Sequence, residues 1–413
     1  MWFRVAVIVG ILILIDLYFF QSIKVFFQDL SPDRKKIIYL FYWLITALCI
    51  AFIFSFRSLP DAGFWKGLRL YGLSFVFIIL VCKLLGILPI ILDDIIRLFK
   101  WISGFLSVGV NNIGGEGISR SKFLSQLAIL IASVPFITFL YGMIRGAFNY
   151  QVISRKLTLT ELPEAFNGLK IVQISDLHLG SFTSTKPLEE AVDIVMKQKP
   201  DIVLFTGDLV NNKAEEAEGF IEVLSKISAP LGKFSILGNH DYGHYTKWKS
   251  EEDRLENMKR LKAIHKEMGW DLLLNENRLV EKDGAILPIV GVENWSGVMR
   301  FHQYGDLAMA LAGVEDLPNK LLLSHDPSHW KAEVVKKNRD IAVTFSGHTH
   351  GMQFGIDIPG IKWSPVQYVY KQWKGLYEDG GHYLYVNPGL GFIGYMGRVG
   401  ILPEITVFEL SRS

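Results

Sequence analysis

Four apolar runs crowd the first 150 residues, and their length leaves the backbone little choice. Val5–Phe20 (VAVIVGILILIDLYFF) is apolar apart from Asp16, and with Met1–Phe3 it is long enough to cross a bilayer. Ile37–Phe56 carries no charge, Leu70–Leu92 carries only Lys83 and has Pro89 near its end, and Phe123–Ile144 has Pro135 inside. A bilayer core takes about 20 such residues per helix. Lipid offers an unpaired backbone no partner, so each run is restricted to helix. No small-residue cleavage pattern follows the first run, which therefore reads as a retained helix and not a signal peptide. A mean hydropathy of +0.27 with only 20% charged residues agrees with a multi-pass protein of the cell membrane.

Asp93–Phe105 (DDIIRLFKWISGF) breaks its apolar residues with Arg97 and Lys100. It reads either as an amphipathic helix lying in the interface or as an extension of the third span. Val108–Ser121, rich in Gly and Asn, reads as a loop. Asp16 and Lys83 are charges within apolar spans; pairing inside the bundle or snorkelling explains two isolated charges better than an ion path. Four spans put both flanks on one side. The lysines and arginines divide eight to seven between the two sides, which leans toward an extracytoplasmic catalytic domain under the positive-inside rule. A formal net charge of +2 gives no argument for a nucleic-acid partner. The two cysteines, Cys49 and Cys82, lie in apolar runs and are too few for a disulfide framework or a thiolate metal site.

From Gln151 onward, short apolar runs alternate with polar helical stretches. Strands are expected at Ile171–Ile174, Asp201–Thr206, Lys233–Leu237, Lys320–Ser324 and Asp340–Phe345. Helices are expected at Pro187–Lys199, Ala214–Ile227, Ser250–Met268 and Ser328–Lys337. That alternation implies a layered α/β fold, hence domains at 1–150 and 151–413. Each of the five strands runs at once into a polar cluster: Asp176 and His178, Gly207-Asp208, Gly238-Asn239-His240-Asp241, His325, and Gly347-His348-Thr349-His350. Ligands of α/β sheets sit at the carboxyl ends of strands, so five such ends can assemble one site.

Seven of these residues are natural metal ligands: Asp176, His178, Asp208, Asn239, His325, His348 and His350. Seven exceed the needs of one four- to six-coordinate ion, and two ions sharing a carboxylate fit better. Such a pair can bridge a hydroxide and clamp a phosphoryl group. Mixed nitrogen and oxygen ligation admits manganese, iron or zinc. His240 is left over as a proton or hydrogen-bond donor, and Asp241 is a candidate to orient it.

DLH, GD, GNHD, a lone His and GHTH, in this order, resemble the calcineurin-like metallophosphoesterase superfamily over the chain from about Leu157 onward. The resemblance implies a four-layer α/β/β/α sandwich with a dinuclear centre. Asp176, His178 and His350 resemble ligands of the first metal, Asp208 the bridging carboxylate, and Asn239, His325 and His348 ligands of the second. His240 matches the family's catalytic histidine. Tyr385–Gly391 (YVNPGLG), Arg398 and Pro403-Glu404-Ile405 resemble the bacterial membrane-bound or exported branch, to which YkuE-like proteins and UDP-diacylglucosamine hydrolases lie close. Many of those carry a serine-arginine pair where this chain has Asn387-Pro388, which questions a phosphate-holding role for that arginine here.

The expected activity is hydrolysis of a phosphoester or pyrophosphate bond, with the multi-span anchor motivating a lipid-linked substrate. The alternatives are a non-catalytic metal-binding membrane scaffold or receptor, and a transporter with a regulatory domain. Asp326 is expected in a turn or behind a ligand, and His244, Tyr242 and Tyr245 in an exposed loop. His265, His302, His329 and His382 are expected to be structural. The aromatic residues Trp363, Tyr368, Tyr370 and Trp373 read equally as packing or as a membrane-facing cluster.

Overall fold

The computed structural model describes residues 2–56, 58–60, 63–106, 120–298, 301–338 and 340–413. The chain forms two compact units, Met1–Tyr141 and Gly142–Ser413.

The first unit is helical: α1 (Trp2–Phe26), α2 (Pro32–Ser55), α3 (Gly63–Leu106) and α4 (Arg120–Tyr141). All four are long and apolar enough to cross a membrane. At 44 residues, α3 is about 66 Å long at 1.5 Å per residue, well beyond a bilayer core. Asp93–Phe105 is thus the continuation of this helix and not a separate interfacial one. Most of the expected loop, Val108 to residue 119, lies outside the described residues. Asp16 and Lys83 are buried and form an ion pair, while the Tyr42 hydroxyl donates to Asp16 at 2.9 Å. Pairing within the bundle therefore accounts for both charges. A Cβ on Gly86 would come within 2.5 Å of Phe19 and 2.9 Å of the Ala128 carbonyl; this small residue lets α3 approach α1 and α4 closely.

The second unit carries two six-stranded sheets and a two-stranded ribbon. The strands are β1 (Gln151–Leu159), β2 (Lys170–Ile174), β3 (Ile202–Phe205), β4 (Lys233–Ser235), β5 (Asp271–Leu272), β6 (Glu276–Lys282), β7 (Ala285–Gly291), β8 (Lys320–Leu323), β9 (Ile341–Ser346), β10 (Ile356–Ile358), β11 (Ile361–Trp363), β12 (Gly375–Asp379), β13 (His382–Val386) and β14 (Glu404–Arg412). One sheet has the order β1-β14-β2-β3-β4-β5, the other β12-β13-β9-β8-β7-β6, and β10-β11 stands apart.

The layers follow from period-two burial. Val172, Ile174, Val203 and Phe205 pack with helices α5 (Lys186–Lys197), α6 (Ile221–Ser225) and α7 (Glu251–Glu267). Their strand neighbours Ile171, Ile202 and Leu204 meet Leu287, Ile289, Leu321, Leu323 and Val343 of the other sheet. Val290, Leu322 and Leu384 point the opposite way, onto Trp330 and α8 (Leu307–Leu311). Strands buried on both faces read as continuous apolar runs because each alternate residue enters a different core. This is the expected α/β/β/α sandwich.

Two expected helices are less regular. Ala214–Phe220 is 3-10 helix before α6 begins, and Trp330–Val334 is a π-helical turn. By contrast, α5 buries Leu188, Ala191, Val192 and Val195 at helical spacing. Ser250 caps α7, its hydroxyl accepting from the Asp253 amide at 3.2 Å.

On α7, His265 is fully buried; Nδ1 meets the Ser235 hydroxyl at 3.0 Å, and Nε2 has no hydrogen-bond partner among the described residues. Burial lowers its pKa to about 3. The folded value lies below the unfolded one, so its stabilising neutral form is fully secured above pH 6.5. Stability is then lost as pH falls toward 3, by up to about 1.4 kcal/mol per pH unit. Thermal melts of His265→Phe are expected to lose this acid-limb slope while the wild type retains it.

Candidate metal centre

The five polar clusters follow β2, β3, β4, β8 and β9. Neighbours β2, β3 and β4 are parallel, as are β8 and β9, so their carboxyl ends point to one rim. At that rim the chain adopts left-handed backbone at Asp176 (φ 50°), His178 (49°), Asp208 (59°), His348 (72°) and His350 (51°). Such conformations cost roughly 1–2 kcal/mol each for non-glycine residues, and their concentration on five candidate ligands marks a site that packing holds under strain. The glycines leave room for it. A Cβ on Gly238 would lie 2.2 Å from Asp208 Oδ1, and one on Gly347 2.2 Å from Asp176 Oδ2.

Two groups of side chains result. Asp176, His178, Asp208 and His350 bring ligand atoms within 4.8 Å of one another, and so do Asp208, His325 and His348. Asp208 belongs to both. Asn239 joins the second group, its Oδ1 lying 2.7 Å from His348 Nδ1 and 3.2 Å from His325 Nε2. All seven candidates thus converge, and His240 stands beside them with its ring 4.9 Å from that of His178.

The donor set fits cations. Burial alone would raise the Asp208 carboxyl, but the adjacent charged His325 imidazole outweighs it and holds it well below the usual carboxylate range. Burial likewise drives His348 down to about 4 and His178 well below its ordinary value, leaving both neutral with free lone pairs. Burial opposes a charge on His325 too, yet the adjacent Asp208 carboxylate lifts it to about 10. A cation bound here would displace that proton. Carboxylates and imidazoles buried face to face, with His178 Nε2 only 3.0 Å from His350 Nε2, are the arrangement a divalent metal satisfies.

Neighbouring groups fix which ring nitrogen faces inward. His325 Nδ1 donates to the Thr206 carbonyl at 2.7 Å, freeing Nε2. His178 Nδ1 donates to Asn211 Oδ1 at 3.0 Å, again freeing Nε2. His348 is the reverse: Nε2 donates to the Tyr370 hydroxyl at 2.8 Å, which in turn donates to Asp326 at 3.0 Å, and Nδ1 faces the cluster. Asp326 therefore stands behind a candidate ligand and reaches it through Tyr370. The Asn239 amide nitrogen donates to Tyr245 at 2.9 Å, turning its oxygen inward.

One expectation needs correction. Asp241 does not orient His240. Its carboxylate accepts from the amides of Asp208, Leu209, Val210 and Gly238 at 2.9–3.2 Å, and so pins the two loops together. His240 is held by Asn211, whose carbonyl accepts from Nδ1 at 2.8 Å. Asn211 thus steadies two histidines at once. The signal the sequence carries for Asn211 is its place three residues after Asp208 on the same strand-end loop. Tyr370 offered none.

Arg398 is fully buried and donates to the carbonyls of Pro388 (2.8 Å) and Gly391 (3.0 Å from Nε). It fastens the Asn387–Gly391 loop against Asp176, where a Cβ on Gly389 would come within 2.6 Å of the Asp176 side chain. Most of its bonds are to backbone and hold the loop, while Nη2 also lies 3.3 Å from His350 Nδ1 and so backs that ring. Arg398→Met would strand those carbonyls without donors, and unfolding free energy is expected to fall by about 3 kcal/mol. Denaturant titration of the purified protein checks this; an unchanged midpoint would contradict it.

The cluster opens on a cavity of about 550 Å³, whose lining includes Asp208, Asn239, His240, His348 and His350 together with the apolar Phe301, Met352, Val366, Val369 and Ile393.

Comparison with known proteins agrees with this arrangement. Residues 169–352 match the family described as calcineurin-like phosphoesterase, and residues 2–147 match a probable calcineurin-like phosphoesterase transmembrane domain. The metallophosphoesterase YkuE of Bacillus subtilis is 31% identical over 283 residues, covering 66% of this chain and 90% of that one. A transmembrane protein with metallophosphoesterase domain from Danio rerio is 29% identical over 72% of this chain, which spans 65% of that relative's own length. The phosphodiesterase YaeI of Escherichia coli is 27% identical, covering 71% of this chain and 99% of that one. Strand-end motifs, sandwich and relatives agree: the chain belongs to the calcineurin-like metallophosphoesterase family, with a four-helix transmembrane domain ahead of the catalytic fold.

Proposed function

We propose that this protein is a membrane-anchored phosphoesterase that holds two divalent cations and hydrolyses a phosphoester or pyrophosphate bond. The observation that carries this reading is the pair of ligand groups sharing Asp208 in the lining of an open cavity. When bound, two such cations neutralise phosphoryl charge and make water acidic enough to serve as nucleophile near neutral pH.

The chain's own residues do the rest. Asp176 and Asp208 supply the buried negative charge that retains cations, Asp176 being steadied by the His348 amide at 3.0 Å. The Asn211 carbonyl keeps the His240 proton on Nδ1, so Nε2 is presented to the cavity. From there His240, once protonated, donates to a phosphoryl oxygen or to the departing alkoxide. The apolar residues in the cavity lining, Phe301, Met352, Val366, Val369 and Ile393, suit an apolar leaving group, which supports a lipid-linked substrate.

The test uses the full-length protein in detergent with manganese and bis-p-nitrophenyl phosphate. Hydrolysis is expected, with loss on exhaustive chelation and recovery on adding manganese, iron or zinc. Metal binding without turnover over a panel of mono- and diesters would refute the catalytic reading.

A further inference from the structure

The ribbon β10–β11 runs through Ser364 into the cavity-lining residues Pro365 and Val366, and one of its faces is uncovered. Ile356 pairs with Trp363 and Ile358 with Ile361, so these four side chains share a face. Ile356, Ile358 and Ile361 are 45%, 55% and 54% exposed. On the reverse face Asp357 pairs with Lys374, and the Lys362 ammonium lies 5.0 Å above the Trp373 ring. The polar side is thus fastened to the domain, and the isoleucines are left outward. The Ser364 hydroxyl donates to the Gly351 carbonyl at 2.8 Å, tying the ribbon's base to the turn that bears His350.

The uncovered surface continues past the ribbon. Tyr368 is 78% exposed, and Val369 and Met352, both also lining the cavity, are each 59% exposed. The aromatic cluster noted in the sequence therefore splits: Tyr370 and Trp373 are buried in the domain, Tyr370 with its hydroxyl on His348, whereas Tyr368 faces outward. Apolar ribbon faces of this kind are rare on proteins surrounded only by water.

We propose that β10–β11 and the following turn dock on the surface of the lipid bilayer, setting the cavity mouth at headgroup depth. Several observations select this occupant. The domain follows directly on membrane-spanning helices, so a bilayer is always at high effective concentration. The face combines aliphatic tips with a tyrosine, the composition that settles at the headgroup boundary. Lys371, three residues after the outward-facing Tyr368, is exposed and matches anionic headgroups. No carboxylate belongs to the outward face of the ribbon. The substrate class that follows is an amphiphile whose phosphoester lies at headgroup level, its tail remaining in lipid. This last step rests on the phosphoesterase reading; the docking itself does not.

The experiment reconstitutes full-length protein, with Cys49 and Cys82 replaced by alanine, into vesicles of phosphatidylcholine and phosphatidylglycerol. An environment-sensitive dye is placed at Ile358→Cys or, as control, at Glu281→Cys on the edge strand β6. Emission from position 358 is expected to shift to the blue and to be quenched by lipid spin-labelled near the headgroup, with position 281 unaffected. Equal quenching at both positions overturns the proposal. So does a blue shift at 358 that tracks protein density and ignores the spin label, which would identify a second copy as the occupant. In parallel, Ile358→Asp with Ile361→Asp is expected to keep wild-type hydrolysis of soluble bis-p-nitrophenyl phosphate. It is expected to lose roughly tenfold on a long-chain p-nitrophenyl phosphodiester embedded in the vesicles. Equal rates on the embedded ester count against docking. Should wild type hydrolyse neither ester, the phosphoesterase reading fails, while the quenching result still decides the docking.

Discussion

Asp208→Asn is expected to lower kcat/KM by at least about 10³-fold, roughly 4 kcal/mol of transition-state stabilisation. Asp208 is the one residue common to both ligand groups and is almost fully buried. Its Oδ1 also accepts from the His240 amide at 2.8 Å, a bond that the asparagine oxygen can keep. The substitution thus preserves shape and removes charge. Without that charge, two cations at neighbouring positions repel each other across a buried site, and elemental analysis should find bound metal reduced. His325 reports the same loss independently. The Asp208 carboxylate is what lifts its pKa against burial, so when the metal-free proteins are compared by proton NMR the ring should titrate well below its wild-type value in the variant. Wild-type activity in Asp208→Asn would remove the basis for a shared carboxylate.

His240→Ala is expected to cost about 10²–10⁴-fold in kcat while bound metal stays at the wild-type level, the range expected of a lost proton donor. His240 belongs to neither ligand group, so its removal leaves the cation-holding atoms in place. The leaving group provides the sharper readout. p-Nitrophenolate departs without help, whereas an alkoxide needs a proton. The deficit should therefore be smallest on nitrophenyl esters and grow with leaving-group pKa. A deficit independent of leaving group would assign His240 to substrate binding alone, and loss of metal would make it a ligand.

Much of this was legible in sequence because the chemistry is local. A bilayer requires about 20 apolar residues per helix, so composition alone located the spans. A buried strand ending in Asp, His or Asn carries both its element and its candidate ligand within ten residues, and five repetitions named the set that the fold gathers. The extent of α3 was not legible, since Arg97 and Lys100 interrupt the apolar pattern without interrupting the helix.

What sequence determined, then, was the helical anchor, the alternation of strands and helices, and the residues able to ligate. Tertiary structure alone decided how they are supported. Asn211 steadies His178 and His240 across 33 and 29 positions, Tyr370 reaches back 22 to His348, and Arg398 locks a loop around Asp176. It also decided which face of β10–β11 is left uncovered. Ligand identity is a property of side-chain type, whereas a ring's orientation is set by whichever distant carbonyl, hydroxyl or guanidinium the folded chain brings within 3 Å of it.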